Sequence, residues 1–162
     1  MAHSADPARL TAILSAARAR GIRITCAESC TGGMIAAALT DLPGSSDVFD
    51  RGFVTYSNAA KVAMLGVAQA TLDTHGAVSE AVAQEMATGA LSRAGVGLAV
   101  AVTGIAGPGG SEFKPEGRVC FGLAQAGRET QVETVEFGPL GRNAVRAATR
   151  DHALTRLLQA LG

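Results

Sequence analysis

The sequence is poor in several residue types, and each shortage excludes a class of protein. Its 162 residues include no tryptophan, one tyrosine and two lysines, and aromatic residues make up 4% of the chain. The 14 basic and 14 acidic side chains cancel, so no net positive field is available to hold a nucleic acid or an acidic membrane surface. With 48% hydrophobic and 17% charged residues, the chain is not disordered and can bury a hydrophobic core.

Long apolar runs and paired cysteines are also missing. The longest weakly polar stretch, residues 94–107, contains four glycines and is shorter than the ~18 residues that a membrane-spanning helix needs. The first ten residues lack the basic start and apolar run of a secretory signal. The three cysteines form no Cys-x-x-Cys pair, which argues against a disulfide framework. These features predict a soluble, cytoplasmic protein with reduced thiols.

Hydrophobic periodicity predicts six helices, most of them bounded by residues that commonly start or end a helix. The predicted helices begin after Asp6, at Met34, after Asn58, near residue 68, after Ser79 and after Asn143.

Strand patterns fall between these helices. The predicted strands are 22–27, 53–55, 98–103, 118–125 and 129–137. The unbroken apolar run at 98–103 is typical of a central strand covered on both faces, and the last two runs predict a hairpin. Strands that alternate with helices require a sheet covered on both faces. We therefore expect an α/β protein with one domain over residues 1–162, a three-layer α/β/α sandwich with a mixed sheet.

Two glycine-rich turns follow predicted strands, where open α/β sheets bind their ligands. In the first, residues 28–33 lead from a strand into a helix, so N–H groups of the first helical turn would be free to bind an anion or a developing oxyanion. Both Ser29 and Cys30 are candidate nucleophiles. The alternative is that this turn only caps the helix and allows close packing.

The second turn, residues 103–111, follows the most apolar strand and offers backbone N–H groups that could hold a phosphate. It matches neither the dinucleotide-binding nor the P-loop pattern, and a flexible loop is an equal alternative. Arg142, Arg146 and Arg150 lie four residues apart on the last predicted helix. They could bind a phosphate, or they could form a solvated helix face.

The single tyrosine, Tyr56, precedes Lys61, one of the two lysines, by five residues. The chain otherwise uses arginine for its positive charge, and a desolvated lysine can act as a base whereas arginine cannot. The alternative is a solvated lysine beside a tyrosine packed on the core. Short-chain dehydrogenases also use tyrosine and lysine, but they space them four apart and need a dinucleotide loop.

The residue pattern predicts no metal site. His3, His75 and His152 are not at metal-ligand spacing from one another or from a cysteine. Glu28 is the one carboxylate in the two candidate turns, so the paired-carboxylate chemistry of glycosidases is not expected either.

Together these segments resemble one family, the C-terminal domain of the competence- and damage-inducible protein CinA, which also occurs as a free-standing nicotinamide-nucleotide amidohydrolase. The resemblance runs from about residue 5 to about residue 160 and depends on several motifs in the same order. These motifs are Ala27 to Gly33, Pro43 to Ser46, Arg51 to Asn58 with Lys61, His75 to Ser79, and Thr103 to Pro108 with Lys114 and Pro115.

The resemblance implies hydrolysis of the carboxamide of nicotinamide mononucleotide to nicotinic acid mononucleotide and ammonia, a step of pyridine-nucleotide salvage. It also implies that this reaction uses neither a metal nor an organic cofactor. It implies Ser29 as the nucleophile, activated by Tyr56 and Lys61. Ser46 and Thr103 fall where the family contacts its substrate. With the two turns, the candidate substrate-binding residues are Glu28, Cys30, Thr31, Gly32, Gly33, Ser46, Thr103, Gly104, Gly107 and Arg142.

The resemblance implies that Arg142 binds the substrate phosphate, but this assignment has an alternative. The family usually reads Phe-x-Gly-x-Arg before its last helix, and the segment from Phe137 to Arg142 is one residue longer. Arg146 could therefore take this role.

Lys61 can act as a base only if its pKa falls from ~10.4 toward 7, so we expect it to be largely buried. The alternative to the enzyme is a nucleotide-binding module that has the pocket but no turnover. A homodimer is expected as well.

Overall fold

The structure is a computed structural model that describes residues 4–111 and 113–162. His3, one of the histidines considered above, lies outside the described residues. Within them the helices are α1 (Pro7–Arg20), α2 (Met34–Leu39), α3 (Asn58–Leu65), α4 (Gln69–His75), α5 (Glu80–Ala94) and α6 (Arg142–Leu161). The strands are β1 (Ile24–Glu28), β2 (Phe49–Val54), β3 (Leu98–Gly104), β4 (Arg118–Gln125) and β5 (Gln131–Glu136).

The five strands form one mixed sheet in the order β2-β1-β3-β4-β5. Strands β1, β2 and β3 are parallel, whereas β4 runs antiparallel to both of its neighbours. The carboxyl ends of β1, β2, β3 and β5 therefore meet at one edge of the sheet. The predicted α/β class, mixed sheet and C-terminal hairpin are confirmed.

Helices cover both faces of the sheet, as predicted. Helices α1, α2 and α6 share one hydrophobic core with the sheet, and α3, α4 and α5 share the other. The larger side chains of β3, such as Leu98 and Val100, face the first core, and its alanines, Ala99 and Ala101, face the second. Because these alanine side chains are small, the backbone of α5 lies close to the backbone of the sheet.

Several predicted boundaries are wrong by a few residues. The first strand starts at Ile24 rather than at residue 22, and β2 starts at Phe49 rather than at residue 53. Because β2 is a partly exposed edge strand, it carries Asp50 and Arg51, and the apolar pattern there is weak.

Two predicted helix caps are also wrong. Ser57, not Asn58, caps α3 by accepting a hydrogen bond from the N–H of Ala60. Helix α6 begins after Gly141 rather than after Asn143, and no side chain caps it. Ser79 caps α5, as predicted. Among the described helices, none combines the length and apolarity needed to cross a membrane.

Candidate active site

A cavity of about 330 Å³ lies at the carboxyl edge of the parallel strands, where this kind of sheet binds its ligands. Each wall comes from a different turn, because the chain leaves the sheet at this edge after every parallel strand. Ser29 and Cys30 follow β1, Tyr56 follows β2, and the loop 103–111 follows β3. Arg142, the first residue of α6, completes the mouth.

Lys61 reaches the cavity from the second turn of α3. Its side chain is 1% exposed, so the predicted burial is confirmed. Its Nζ donates hydrogen bonds to the Oγ of Ser29 at 3.1 Å, to the carbonyl of Thr55 at 2.9 Å and to the carbonyl of Tyr56 at 3.4 Å. The buried amine is thus held against the hydroxyl of Ser29 by two backbone carbonyls from the end of β2.

Ser29 is the first residue after β1 and is 8% exposed. Its N–H donates to the carbonyl of Val102 at 3.1 Å, so pairing between β1 and β3 continues one residue past the end of β1. The sheet therefore holds the backbone of Ser29, and Lys61 holds its hydroxyl.

The start of α2 is not the free anion site that the sequence predicts. The carboxylate of Glu28 accepts from the N–H groups of Gly33 at 3.2 Å, Ile35 at 3.0 Å and Ala36 at 3.0 Å, and from the hydroxyl of Thr31 at 2.6 Å. Glu28 is fully buried. A carboxylate from β1 thus occupies the donors that a substrate anion would need, and Glu28 does not line the cavity.

Cys30 lines the cavity beside Ser29 but is poorly suited to act as the nucleophile. Burial raises the pKa of its thiol to about 12, with a smaller contribution from the negative charge of Glu28. The reactive form of a cysteine is the thiolate, so Cys30 stays protonated at neutral pH. This result favours Ser29 between the two candidates that the sequence left open.

Tyr56 is 60% exposed, and its hydroxyl does not reach the pair formed by Ser29 and Lys61. Instead it accepts a hydrogen bond from Nη2 of Arg142 at 2.8 Å, while Nη1 of Arg142 donates to the carbonyl of Gly107 at 2.7 Å. One guanidinium therefore links the turns after β2 and β3 across the mouth of the cavity. Tyr56 contacts Lys61 through its backbone carbonyl.

Arg146 has a different position from Arg142. Its guanidinium donates to the carbonyls of Cys30 at 3.0 Å and Thr31 at 3.2 Å, so it supports the turn behind Ser29. It does not line the cavity. The structure therefore leaves Arg142 as the arginine at the mouth.

Three further predicted residues line the cavity: Thr103, Gly104 and Gly107. The hydroxyl of Thr103 donates to the carbonyl of Ala77 at 2.8 Å, which ties β3 to the segment before α5.

The structure does not bring Ser46 to the cavity. Ser46 lies in a single turn of 3₁₀ helix before β2, and its carbonyl accepts from Arg23, which precedes β1. Because β1 and β2 are parallel, both residues lie at the amino edge of the sheet, opposite the cavity. Thr31, Gly32 and Gly33 lie in the turn held by Glu28 and do not line the cavity either.

Two polar residues of the cavity wall are not among the site residues predicted from the sequence. Asn58 and Ser111 both line the cavity. Asn58 is the last residue of the motif that runs from Arg51 to Asn58 and contains Tyr56, so this motif was a usable signal. The carbonyl of Thr55, in contrast, is a backbone group that no residue pattern identifies.

Comparison with known proteins decides the family. The model of the CinA C-terminal domain matches residues 8–161. The chain belongs to the CinA C-terminal domain family. The CinA fold is also that of solved structures: the competence/damage inducible protein CihA from Agrobacterium tumefaciens superposes with a TM-score of 0.93 at 46% identity, covering 99% of each chain.

Two similar members of the CinA family carry the name nicotinamide-nucleotide amidohydrolase PncC. The protein from Enterobacter agglomerans is 58% identical over 134 residues, which are 82% of this chain and 80% of that one. The protein from Escherichia coli K12 is 52% identical over 145 residues, 89% and 87% of the two chains. A CinA-like protein from Chlorobium phaeobacteroides is 58% identical over 120 residues, and this match covers 72% of this chain and 29% of that longer one.

Proposed function

We propose that this chain is a nicotinamide-nucleotide amidohydrolase that converts nicotinamide mononucleotide to nicotinic acid mononucleotide and ammonia. The observation that carries the mechanism is the buried amine of Lys61, 3.1 Å from the hydroxyl of Ser29 on the cavity wall. The substrate class is supported by similarity to the two PncC amidohydrolases over most of their length.

In the first step, Ser29 Oγ attacks the carboxamide carbon and its proton passes to the neutral amine of Lys61. The contacts of Lys61 suit both protonation states. A neutral amine donates two N–H groups to the carbonyls of Thr55 and Tyr56 and turns its lone pair toward Ser29, whereas the ammonium has three donors for the three oxygens. Little reorganisation accompanies the proton transfer.

In the second step, the tetrahedral intermediate collapses and the C–N bond breaks. The Lys61 ammonium gives its proton to the leaving nitrogen, so ammonia leaves and an acyl ester remains on Ser29. We assign the oxyanion to the N–H group of Cys30, which lines the cavity beside Ser29 and which the Glu28 carboxylate does not bind. Water, deprotonated by Lys61, then hydrolyses the ester and regenerates the hydroxyl.

Arg142 binds the substrate phosphate in this proposal. Its guanidinium lies at the mouth of the cavity and donates to two neutral groups, the hydroxyl of Tyr56 and the carbonyl of Gly107. A phosphate forms stronger, charge-assisted hydrogen bonds with a guanidinium than these neutral groups do. The hydroxyl of Tyr56 then orients Arg142, and the carbonyl of Tyr56 orients Lys61.

A substrate panel with wild-type protein and Ser29→Ala tests the proposal. Wild-type protein is expected to release ammonia from nicotinamide mononucleotide, with the acid identified by mass spectrometry, and Ser29→Ala to bind the substrate without turnover. Losing a hydroxyl at a turn costs only about 1 kcal/mol, so the variant should fold. Cys30→Ala is the matched control and is expected to stay active.

Two outcomes would contradict this mechanism. If Ser29→Ala keeps more than about a tenth of the activity, Ser29 is not the nucleophile. If wild-type protein binds the nucleotide but releases no ammonia, the non-catalytic binding module is the better description.

The expected homodimer and the cytoplasmic location stay predictions. Light scattering coupled to size-exclusion chromatography tests the first, and fractionation of the source cells tests the second.

A further inference from the structure

The carboxylate of Glu28 is satisfied to an unusual degree for a side chain that touches no ligand site. Glu28 is the last residue of β1 and is fully buried. Its donors are Thr31 Oγ1, Gly33 N, Ile35 N, Ala36 N and, at 3.6 Å, the thiol of Cys26. A buried charge is costly unless hydrogen bonds compensate it, and here one carboxylate accepts from five donors within eleven consecutive residues.

This arrangement does more than cap α2. A capping side chain normally satisfies one of the free N–H groups at a helix start, whereas Glu28 satisfies three and the hydroxyl of Thr31 as well. The bonds connect the end of β1 to the first turn of α2, and Ser29 and Cys30 lie in the short segment between them. The carboxylate therefore closes a small loop that contains the nucleophile.

A second group holds the same loop from outside. Arg146 on α6 donates to the carbonyls of Cys30 and Thr31. Glu28 binds four donors from residues 31–36, and Arg146 binds the carbonyls of Cys30 and Thr31, which leaves the backbone of residues 29–31 little freedom.

We propose that Glu28 is a positioning residue for the hydrolysis: by holding the turn from Thr31 to Ala36, its carboxylate keeps the hydroxyl of Ser29 within hydrogen-bond distance of Lys61. The inference rests on the proposed function of this cavity. It replaces the expectation that Glu28 binds substrate, because the carboxylate is buried away from the cavity and its lone pairs are occupied.

The charge of Glu28 gives the inference a specific signature. The Cys30 thiol lies in the fields of both the Glu28 carboxylate and the Lys61 ammonium, and of Arg146 as well. A nearby negative charge favours the protonated form of an amine. The thiols of Cys26 and Cys30 also lie in the field of the Glu28 carboxylate, and burial raises their pKa values, so both stay neutral. Removing the carboxylate charge should let Lys61 lose its proton at lower pH.

Glu28→Gln tests both parts of the inference, because the amide keeps the shape but loses the charge and one acceptor. The expected result is a 10- to 100-fold lower kcat with KM changed less than about threefold, since a small misplacement of reacting groups can cost about 100-fold. The acid limb of the kcat/KM profile should move to lower pH. Glu28→Asp, which keeps the charge, should lower kcat without moving that limb.

Two more variants separate positioning from general loss of stability. Asp6→Ala removes the cap of α1 at a residue that does not line the cavity, and should leave kcat unchanged while lowering stability. Thr31→Val removes one donor to Glu28 without changing charge, and should lower kcat at constant KM. Thr31→Val carries the test if Glu28→Gln does not fold.

The rate at which a sulfonyl fluoride labels Ser29 provides a readout that needs no substrate. Labelling forms a bond between Ser29 Oγ and sulfur and releases fluoride, and it should be at least several-fold slower in Glu28→Gln than in wild-type protein. Unchanged labelling and unchanged kcat would overturn the inference, as would a large rise in KM at constant kcat. Wild-type protein that reacts with the sulfonyl fluoride but, before labelling, releases no ammonia from the nucleotide would overturn the proposed function instead, while the labelling rates still decide the role of Glu28.

Discussion

At the scale of single residues, the site depends on how one buried amine is surrounded. Lys61 contacts three oxygens, and two of them are backbone carbonyls whose positions follow from the end of β2. A guanidinium is larger, planar and always charged, so arginine cannot reproduce either the geometry or the proton transfer. The lysine is therefore required for its chemistry as well as for its charge.

Replacing Lys61 by arginine and by methionine separates charge from basicity. Both Lys61→Arg and Lys61→Met are expected to lose at least about 100-fold in kcat, the usual contribution of a general base, because neither side chain can accept the proton of Ser29. Ammonia release at saturating substrate measures the effect, with denaturation curves to confirm folding. A rate for Lys61→Arg close to that of wild-type protein would mean that Lys61 supplies charge only, and a wild-type profile that is flat from about pH 6 to 9 would oppose a titrating base.

The Cys30 thiol makes stability depend on pH. Burial raises its pKa from 9.0 to about 12, so between these values the unfolded chain loses a proton that the folded chain keeps. The unfolded state is thereby favoured as pH rises, and stability falls by on the order of 1 kcal/mol per pH unit above about pH 9. Below pH 9 both states hold the proton and the thiol causes no pH dependence.

Urea denaturation at pH 8, 9 and 10 measures this effect in wild-type protein and Cys30→Ala. Cys30→Ala should be less stable than wild-type protein at every pH because it loses packing. Its free energy of unfolding should, however, fall less between pH 9 and pH 10 than that of wild-type protein. Val145→Ala, a buried apolar truncation, is the matched control, and its deficit should stay constant with pH. Equal slopes for Cys30→Ala and wild-type protein would contradict the raised pKa.

At the scale of elements, the approach of α3 to α5 places Lys61. Gly89 lies in α5 at the point where the carbonyl of Leu65, the last residue of α3, packs against that helix. A Cβ at Gly89 would overlap with this carbonyl oxygen. The glycine therefore permits a backbone contact that brings the helix carrying Lys61 close against α5.

Gly89→Ala should reveal this contact. Alanine is favoured over glycine in a helix by about 1 kcal/mol, but overpacking against a backbone atom costs about 1 to 3 kcal/mol and shifts the backbone. We expect a net loss of stability in urea denaturation and a lower kcat, because α3 moves away from Ser29. Ser92→Ala, at an exposed position of the same helix, should keep both values. A Gly89→Ala variant that is more stable than wild-type protein would contradict this prediction, because it would show that α3 and α5 can move apart without loss of stability.

At the scale of the whole molecule, substrate binding joins parts of the chain that lie far apart in sequence. Ser29, Thr103 and Arg142 all line one cavity, and they reach it from β1, β3 and α6. A ligand that contacts these turns together stabilises the folded state against the unfolded chain, in which the site does not exist.

Thermal unfolding of Ser29→Ala with nicotinamide mononucleotide measures this coupling without turnover. At a ligand concentration of about 100 Kd the expected gain is about 2.7 kcal/mol, or roughly 5 to 10 °C in Tm for a domain of this size. Adding Arg142→Gln should remove most of the shift at the same concentration. An undiminished shift in that double variant would place the phosphate elsewhere.

Much of this architecture is determined by local sequence patterns. The apolar run of β3, the hairpin of β4 and β5, and the cap of α5 at Ser79 follow from side-chain periodicity and from hydrogen bonds between near neighbours. The lowered pKa that a lysine needs to act as a base correctly predicted that Lys61 is buried. The strand, the hairpin and the helix cap each depend on a few adjacent residues, so they can be predicted without knowing the order of the strands in the sheet.

The tertiary structure alone decided which residues meet. Ser46 lies at the amino edge of the sheet because β1 and β2 are parallel, and the bond between Tyr56 and Arg142 spans 86 positions of the chain. Glu28 binds the turn after it because α2 folds back onto the end of β1. Strand order and helix packing set these distances, and they arise from burial of the whole core, which no local pattern encodes.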